Sequence, residues 1–201
     1  MPSGYSRSLT FTEYLAQDAL AQRRQELTNG VPVELPPQND STIALTLGLA
    51  KRLERVVNGR LICTHAVTLQ VPTLPEIPQE NRFPDLMVLT PTLAAQLSGK
   101  QSAIALDVPN PALVVEIVAP YSSPGDDSYR CDYIDKRQQY EQRRIPEYWI
   151  VDPTAAEVTV LALLMQESYQ GRAFRGQQQI RSAGFPTLRL TVDELLALGA
   201  K

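Results

Sequence analysis

The chain has 201 residues, of which 43% are hydrophobic and 20% charged, and its formal net charge is −3. This length predicts one domain over residues 1–201, with enough apolar side chains for one core. A net negative charge argues against a protein that coats nucleic acid through a uniformly basic surface. The two cysteines, Cys63 and Cys131, are far apart in sequence, which favours a reducing cytoplasm over a disulfide scaffold. The sequence contains neither a signal sequence nor a run of about 18 apolar residues, so we expect a cytoplasmic protein without a membrane partner.

The N-terminal segment predicts a flexible start and a short helix. Residues 1–9 are mostly polar and are expected to be flexible. Thr10 and Glu13 have the spacing of a capping box, in which the hydroxyl and the carboxylate each satisfy an exposed backbone amide. We therefore expect a helix from this point to about Asp18.

A hairpin and a longer helix are predicted next. Asn29-Gly30 is a strong turn signal between two short segments of strand character. Asp40 or Ser41 is expected to cap the following helix, whose apolar face carries leucines four residues apart: Leu45, Leu49 and Leu53.

The segment 61–71 is rich in β-branched residues and predicts one strand. It contains His65, the single histidine of the chain, so one subunit cannot build a serine-histidine-aspartate triad or a histidine-rich zinc site. Further on, Pro84 favours extended geometry at the residue before it and places Asp85 at the head of the next strand.

An acid interrupts an otherwise apolar strand at residues 112–118. Glu116 stands among alanine, leucine, valine and isoleucine side chains. An unpaired buried carboxylate costs several kcal/mol or shifts its pKa, so a positive charge must compensate it. A divalent cation shared with Asp85, with Lys136 close by, meets this requirement.

The helix predicted after residue 127 carries Asp132, Lys136 and Tyr140 at intervals of four, and therefore on one face. Asp132 and Lys136 also form the spacing of an ordinary intrahelical ion pair, and Tyr140 can either bond a carboxylate or pack in the core. Three arginines give this region a basic flank: Arg137, Arg143 and Arg144. Beyond it, the sequence predicts a buried strand at 148–151, a hairpin at 157–174 and a helix that begins after a second capping box at Thr191.

The order of Pro84-Asp85, a strand glutamate and a helical lysine resembles the PD-(D/E)xK nuclease superfamily. Residues 132–140 (DYIDKRQQY) and 145–153 (IPEYWIVDP) are similar to a restriction-endonuclease-like family that is abundant in cyanobacteria and was long classed as a domain of unknown function. The resemblance extends from Phe11 to Leu198. One position departs from the superfamily pattern: Val118 stands two residues after the glutamate, so the helix must supply the lysine.

This resemblance implies an α/β fold, in which a mixed central sheet is flanked by the Leu45 helix and the Lys136 helix. It also implies a metal-dependent DNA endonuclease. Cutting both strands of a duplex with one active site per chain then favours a homodimer. The implied ligands of Mg²⁺ or Mn²⁺ are Asp85, Glu116 and the carbonyl of Ile117, while Lys136 orients or deprotonates the water. The resemblance also implies Glu26 at the catalytic site, where the alternative is an acid on a surface strand. Tyr140, one turn after Lys136, is a further candidate for the catalytic site.

Two other classes of function remain open from the sequence. The fold can serve as a catalytically inactive binding or regulatory module that retains its acids for stability or for metal binding alone. A pair of carboxylates can also perform acid/base chemistry on a glycoside, although that chemistry does not require an aligned lysine.

Overall fold

The computed structural model describes residues 8–17, 24–97, 103–165 and 168–199. Its helices and strands are, in chain order, α1 (Phe11–Leu15), β1 (Gln25–Thr28), β2 (Val31–Glu34), α2 (Asp40–Leu53), β3 (Ile62–Thr64), β4 (Thr68–Gln70), β5 (Asn81–Arg82), β6 (Leu86–Val88), α3 (Pro91–Leu97), β7 (Ala103–Ile104), β8 (Leu113–Ile117), α4 (Asp127–Arg130), α5 (Lys136–Gln142), β9 (Glu147–Asp152), β10 (Glu157–Leu164), β11 (Ser168–Arg175) and α6 (Val192–Leu196). A π-helical turn, Cys131–Asp135, joins α4 to α5.

The described part of the chain forms a six-stranded sheet in the order β11-β10-β9-β8-β6-β3. The pairing of β8 with β9 is parallel and the remaining neighbours are antiparallel. A parallel pair requires a crossover connection, and the helix over residues 127–142 supplies it. The predicted mixed central sheet flanked by helices is confirmed.

The alternation of side chains along the strands divides the core into two layers. One layer combines the odd-numbered residues of β8 with the apolar stripe of α2 and with α6. The other combines Val114 of β8 with Tyr140 of α5 and Leu93 of α3. Successive strand residues point to opposite faces, so Glu116 lies on the face that α5 covers.

The N-terminal expectations hold in part. Residues 1–7 and the predicted helix end at Asp18 lie outside the described residues. Ser8 and Leu9, expected to be flexible, instead bond the β1–β2 turn: Ser8 donates to the carbonyl of Asn29, and the amide of Leu9 donates to that of Gly30, at 3.1 and 2.9 Å. Both predicted capping boxes are present.

Two local predictions are wrong. The residue that caps α2 is Asn39, whose side chain accepts a hydrogen bond from the amide of Thr42 at 2.7 Å, and not Asp40 or Ser41. The segment 61–71 is not one strand, because His65 adopts a φ of 50° and breaks it into β3 and β4. Strand β4 then joins a separate described sheet in the order β5-β4-β7.

The predicted hairpins are confirmed. Asn29 and Gly30 have φ values of 50° and 74°, which is the left-handed geometry of a tight two-residue hairpin turn. Strands β10 and β11 pair antiparallel along their whole length at the edge of the large sheet. None of the described helices is long and apolar enough to cross a membrane.

A pair of identical substitutions on α2 tests the packing of this helix on the sheet. Leu49 is 0% exposed and Leu47 is 47% exposed. Leu49→Ala is expected to lower the free energy of unfolding by about 2–5 kcal/mol, because it removes buried methyl groups and leaves a cavity. Leu47→Ala is expected to change it by less than about 0.5 kcal/mol. Chemical denaturation measures both, and equal losses would contradict the packing described here.

Candidate active site

Two carboxylates lie side by side on one face of the large sheet, at its centre. The antiparallel register of β6 and β8 pairs Leu86 with Val115 and Met87 with Val114. Extending this register by one residue places Asp85 opposite Glu116, on the face that α5 covers. Directly opposed side chains have Cβ atoms about 5 Å apart, and like charges in this position repel each other.

Lys136, the first residue of α5, supplies a positive charge to this site. Its Nζ lies 2.8 Å from Oε2 of Glu116 and 2.7 Å from Oδ1 of Asp132. Burial alone would lower the pKa of Lys136, but the carboxylates of Asp132 and Glu116 raise it well above its usual range. The side chain is therefore an ammonium group, held between two acids.

The turn between α4 and α5 is a π-helical turn, a feature that often occurs at functional sites. Tyr148 donates a hydrogen bond from its hydroxyl to the carbonyl of Asp132, in this turn, at 2.9 Å. Further along the same helix, the Tyr140 hydroxyl donates to Oε1 of Glu116 at 2.6 Å. Tyr140 is also fully buried, so it both packs in the core and bonds the carboxylate.

Asp85 has a separate set of partners. Its Oδ2 accepts a hydrogen bond from the amide of Ile117 at 2.7 Å, and its Oδ1 accepts one from the side-chain amide of Gln38. The Nδ1 atom of His65 lies 3.5 Å from the same Oδ1. The sequence did not indicate that Gln38 or His65 contacts Asp85, because neither residue belongs to a local motif.

Burial changes the protonation of the acids. Desolvation raises the pKa of Glu116 and of Asp85, and Lys136 partly opposes the rise in both. Desolvation raises the pKa of Asp132 to about 6, again against the effect of Lys136. Desolvation also lowers the pKa of His65 to about 4, and Arg24 adds to this shift, so the imidazole is neutral at pH 7.

Glu26 borders the same cavity but is engaged by an arginine. Its Oε2 lies 2.9 Å from Nη1 of Arg82, and Nε of Arg82 donates to Oε1 of Gln139 at 2.7 Å. Gln139 follows Lys136 by three residues on α5. The predicted catalytic role of Glu26 stays a prediction. In the structure, Glu26 forms an ion pair with Arg82, which in turn donates a hydrogen bond to Gln139.

A cavity of about 370 Å³ collects these side chains. The carboxylates of Asp85 and Glu116 and the ammonium of Lys136 line it, together with Glu26 and Asp132. Four of the five predicted site side chains therefore border one cavity, and the fifth, Tyr140, contacts it through Glu116.

The donor chemistry of this cavity fits a hard divalent cation. Within the described residues, no group of three or more histidine, cysteine, aspartate or glutamate side chains is arranged to hold a metal ion. Mg²⁺, however, is commonly held by one or two carboxylates and otherwise keeps water or phosphate oxygens. Asp85 and Glu116 match that requirement, and each of their oxygens retains a lone pair. Ile117 contacts the site through its amide, and the predicted role of its carbonyl stays a prediction.

The prediction that Arg143 belongs to a basic flank of the site is wrong. This side chain is buried and donates hydrogen bonds to the carbonyls of Gln70 and Ala105. Desolvation lowers its pKa to about 10. Arg137 and Arg144 are exposed and lie on the surface. Arg143 instead stabilises the interior through its hydrogen bonds to these two carbonyls.

The mixed sheet with its acids and lysine around one cavity defines the restriction-endonuclease-like class of folds. Residues 11–193 match the family described as "Uma2: Putative restriction endonuclease", and the chain belongs to this family. A similar solved structure is "a putative nuclease belonging to DUF820" from Anabaena variabilis ATCC 29413, with a TM-score of 0.65 and 16% identity over 95% of this chain and 99% of that one. No curated protein matches the chain. The resemblance inferred from the motifs is confirmed.

Asp132→Asn is expected to weaken the dependence of stability on pH. Because the pKa of Asp132 rises from 3.8 to about 6 on folding, the folded protein binds this proton more tightly than the unfolded chain does. The stabilisation from this group is fully present below pH 3.8 and is lost as the pH rises through about 6. Chemical denaturation at about pH 4–7 without divalent metal should therefore show a steeper fall in the wild type than in the variant.

Asp126→Asn is the matched control for this measurement. Asp126 is a half-buried acid whose pKa is lowered, first by the amide of Ser122 and then by the Ser123 hydroxyl. Its stabilisation is present at high pH and is lost as the pH falls, which is the opposite sign. The control must therefore retain the wild-type fall. An unchanged fall in Asp132→Asn would contradict the proposed burial of that carboxylate.

Proposed function

We propose that the protein is a metal-dependent endodeoxyribonuclease that hydrolyses phosphodiester bonds at the Asp85–Glu116–Lys136 cavity. The observation that carries this proposal is the contact of 2.8 Å between the Lys136 ammonium and the Glu116 carboxylate, in a cavity that Asp85 also lines. In this proposal, the helical lysine takes the role that the superfamily pattern gives to a lysine on the strand. Membership of a family described as restriction endonucleases supports a nucleic-acid substrate.

Each side chain has a role that follows from its contacts. Asp85 and Glu116 would hold Mg²⁺ or Mn²⁺, which when bound supplies Lewis-acid polarisation of the phosphate and activation of the attacking water. Tyr140 and the Ile117 amide fix the two carboxylates by hydrogen bonds. This fixed geometry reduces the reorganisation that the site needs during the reaction.

Lys136 acts as a cation in this scheme. A group whose pKa is raised well above its usual range does not take a proton from water at neutral pH. We therefore assign Lys136 to orientation of the water and to stabilisation of the charge that develops on the phosphate. Of the two roles implied by the resemblance, the contacts favour orientation over deprotonation.

The inactive binding module is the second candidate, and one observation favours it. Lys136 already balances Glu116 and Asp132, and Asp85 accepts two hydrogen bonds from the protein. A site with this many internal partners can persist without catalysis. Divalent metal binding without cleavage of nucleic acid would identify this outcome.

Cleavage of supercoiled and linear DNA in Mg²⁺ or Mn²⁺ tests the proposal. Three isosteric variants, Asp85→Asn, Glu116→Gln and Lys136→Met, are expected to slow cleavage by orders of magnitude, because each removes a metal ligand or the catalytic cation. Lys51→Met is the matched control, since Lys51 is exposed on α2, and it should cleave at the wild-type rate. Thermal melts show whether each variant is folded.

Two results would contradict the nuclease assignment. The first is a purified wild type that binds no divalent cation. The second is cleavage by all three site variants at the wild-type rate, which would assign the activity to a contaminant or to another site.

We further propose a homodimer, because cutting both strands of a duplex with one site per chain favours two-fold symmetry. The β10–β11 hairpin at the sheet edge offers an apolar contact, since Leu164 is 46% exposed and Met165 is 93% exposed. Light scattering should give the mass of a dimer, and Leu164→Lys should shift it toward the monomer. Val31→Lys is the control, because Val31 is 48% exposed on a different hairpin. A monomeric wild type at all concentrations would contradict the proposal.

A further inference from the structure

Arg24 brings a second positive charge to the catalytic cavity. It lies just before β1 and lines the same cavity as Asp85 and Lys136. Its carbonyl accepts a hydrogen bond from the amide of Leu35 at 2.9 Å, which fixes its backbone at the base of the β1–β2 hairpin. Burial is the largest effect on the pKa of Asp85 and raises it, and the charge of Arg24 is the last of several smaller effects, among which it opposes this rise. The guanidinium is therefore within electrostatic reach of the site.

Two contacts hold the Arg24 guanidinium, and neither of them involves a carboxylate that would balance its positive charge. Its central carbon lies 6.0 Å from the centre of the Phe83 ring, at the outer limit of a cation–π contact. Its Nη1 donates to the carbonyl of Pro36 at 3.4 Å. In the described part of the chain, no carboxylate forms an ion pair with Arg24.

The other cations near the cavity are committed to internal partners. Lys136 is paired with two acids, and Arg82 is paired with Glu26. Arg24 differs, because its Nε is buried without a hydrogen-bond partner among the described residues. Burying an arginine donor without a partner costs free energy, so a ligand oxygen that accepts from Nε would recover part of that cost.

The free donors identify the chemistry of that anion. Nη1 is used by Pro36, which leaves the edge formed by Nε and Nη2 without a protein acceptor in the described residues. Two parallel N–H donors on a planar guanidinium match two oxygens of a phosphate, a geometry that lysine cannot provide.

We propose that Arg24 binds a phosphate of the substrate strand at the catalytic cavity through its Nε and Nη2 atoms. This inference rests on the proposed function, because the phosphate is that of the DNA substrate. In this proposal, Lys136 acts on the phosphate that reacts. Arg24 lies at the base of the β1–β2 hairpin and positions the DNA strand from there. A competing role is purely electrostatic, in which Arg24 only keeps Asp85 ionised.

Binding of a short labelled DNA duplex tests this assignment separately from cleavage. Fluorescence anisotropy is measured over a series of KCl concentrations, with Ca²⁺ in place of Mg²⁺. Each phosphate neutralised by a cation contributes about 0.9 to the slope of log K against log salt. Arg24→Gln is therefore expected to reduce that slope by about 0.9 and to weaken binding about tenfold.

Two further variants make the measurement specific. Arg24→Lys keeps the charge but loses the paired donors, so it should keep the slope while still weakening binding. Arg172→Gln is the matched control, because Arg172 also stacks on a phenylalanine, with its guanidinium carbon 5.1 Å from the Phe174 ring centre. It lies on β11, three strands from β8, and should leave both slope and affinity unchanged.

The outcomes separate this inference from the proposed function. A wild-type slope in Arg24→Gln overturns the phosphate contact and supports the purely electrostatic role. A reduced slope in a protein that binds DNA but does not cleave it supports the contact and overturns the nuclease assignment. A wild type that binds no DNA overturns both. If Arg24→Gln does not fold, Arg24→Lys decides, and wild-type affinity in that variant overturns the paired contact.

Discussion

The site depends on the juxtaposition of two carboxylates, Asp85 and Glu116, on neighbouring buried strands. At a separation of about 5 Å and an effective dielectric constant of 20, two like charges repel by on the order of 3 kcal/mol. Desolvation adds to that cost, as the raised pKa of each carboxyl shows. Attraction to an ammonium group 2.8 Å from Glu116 is on the order of 6 kcal/mol on the same scale. The lysine therefore outweighs the repulsion for Glu116. Asp85 is also stabilised by the charge of Lys136, together with hydrogen bonds from the Ile117 amide and Gln38.

The position of α5 allows the positive charge of Lys136 to compensate the negative charge of Glu116. Lys136 reaches Glu116 because α5 crosses the sheet face on which the two acids stand. Gln139, one turn later, donates to the carbonyls of Pro72 and Gln79 at 3.0 and 2.8 Å and accepts from Arg82. These buried bonds tie the helix to the segment that leads into Asp85. The hydrogen bonds of Gln139, which is a neighbour of Lys136 on the helix surface, thus position both halves of the site.

Much of this arrangement could be predicted from local sequence. The continuous apolar run along 112–118 predicted a buried strand around Glu116, and the spacing of four placed Asp132, Lys136 and Tyr140 together. The capping boxes and the Asn-Gly turn were correct because their geometry depends on a few adjacent residues. Each of these features is encoded within one element.

The features that the sequence did not reveal depend on contacts between elements or on competing local choices. The left-handed conformation of His65 has only a weak local signal, because histidine adopts a positive φ more often than most residues but still uncommonly. Three adjacent residues, Asn39, Asp40 and Ser41, can all cap a helix, and only packing selects the first. The sequence predicted Arg143 to be an exposed residue at a helix end. Its side chain is instead buried and donates hydrogen bonds to two carbonyls that are distant in sequence.

The use of cations inside the fold limits how this protein can recognise a polyanion. Arg82, Lys136 and Arg143 are all committed to internal carboxylates or carbonyls. They therefore contribute little to a basic surface, and the chain carries a net charge of −3. Long-range attraction to a nucleic acid is weak under these conditions. Under the proposed function, affinity for a phosphate must therefore come from short-range chemistry in the cavity, where the proposed divalent cation and the Arg24 guanidinium would act at contact distance.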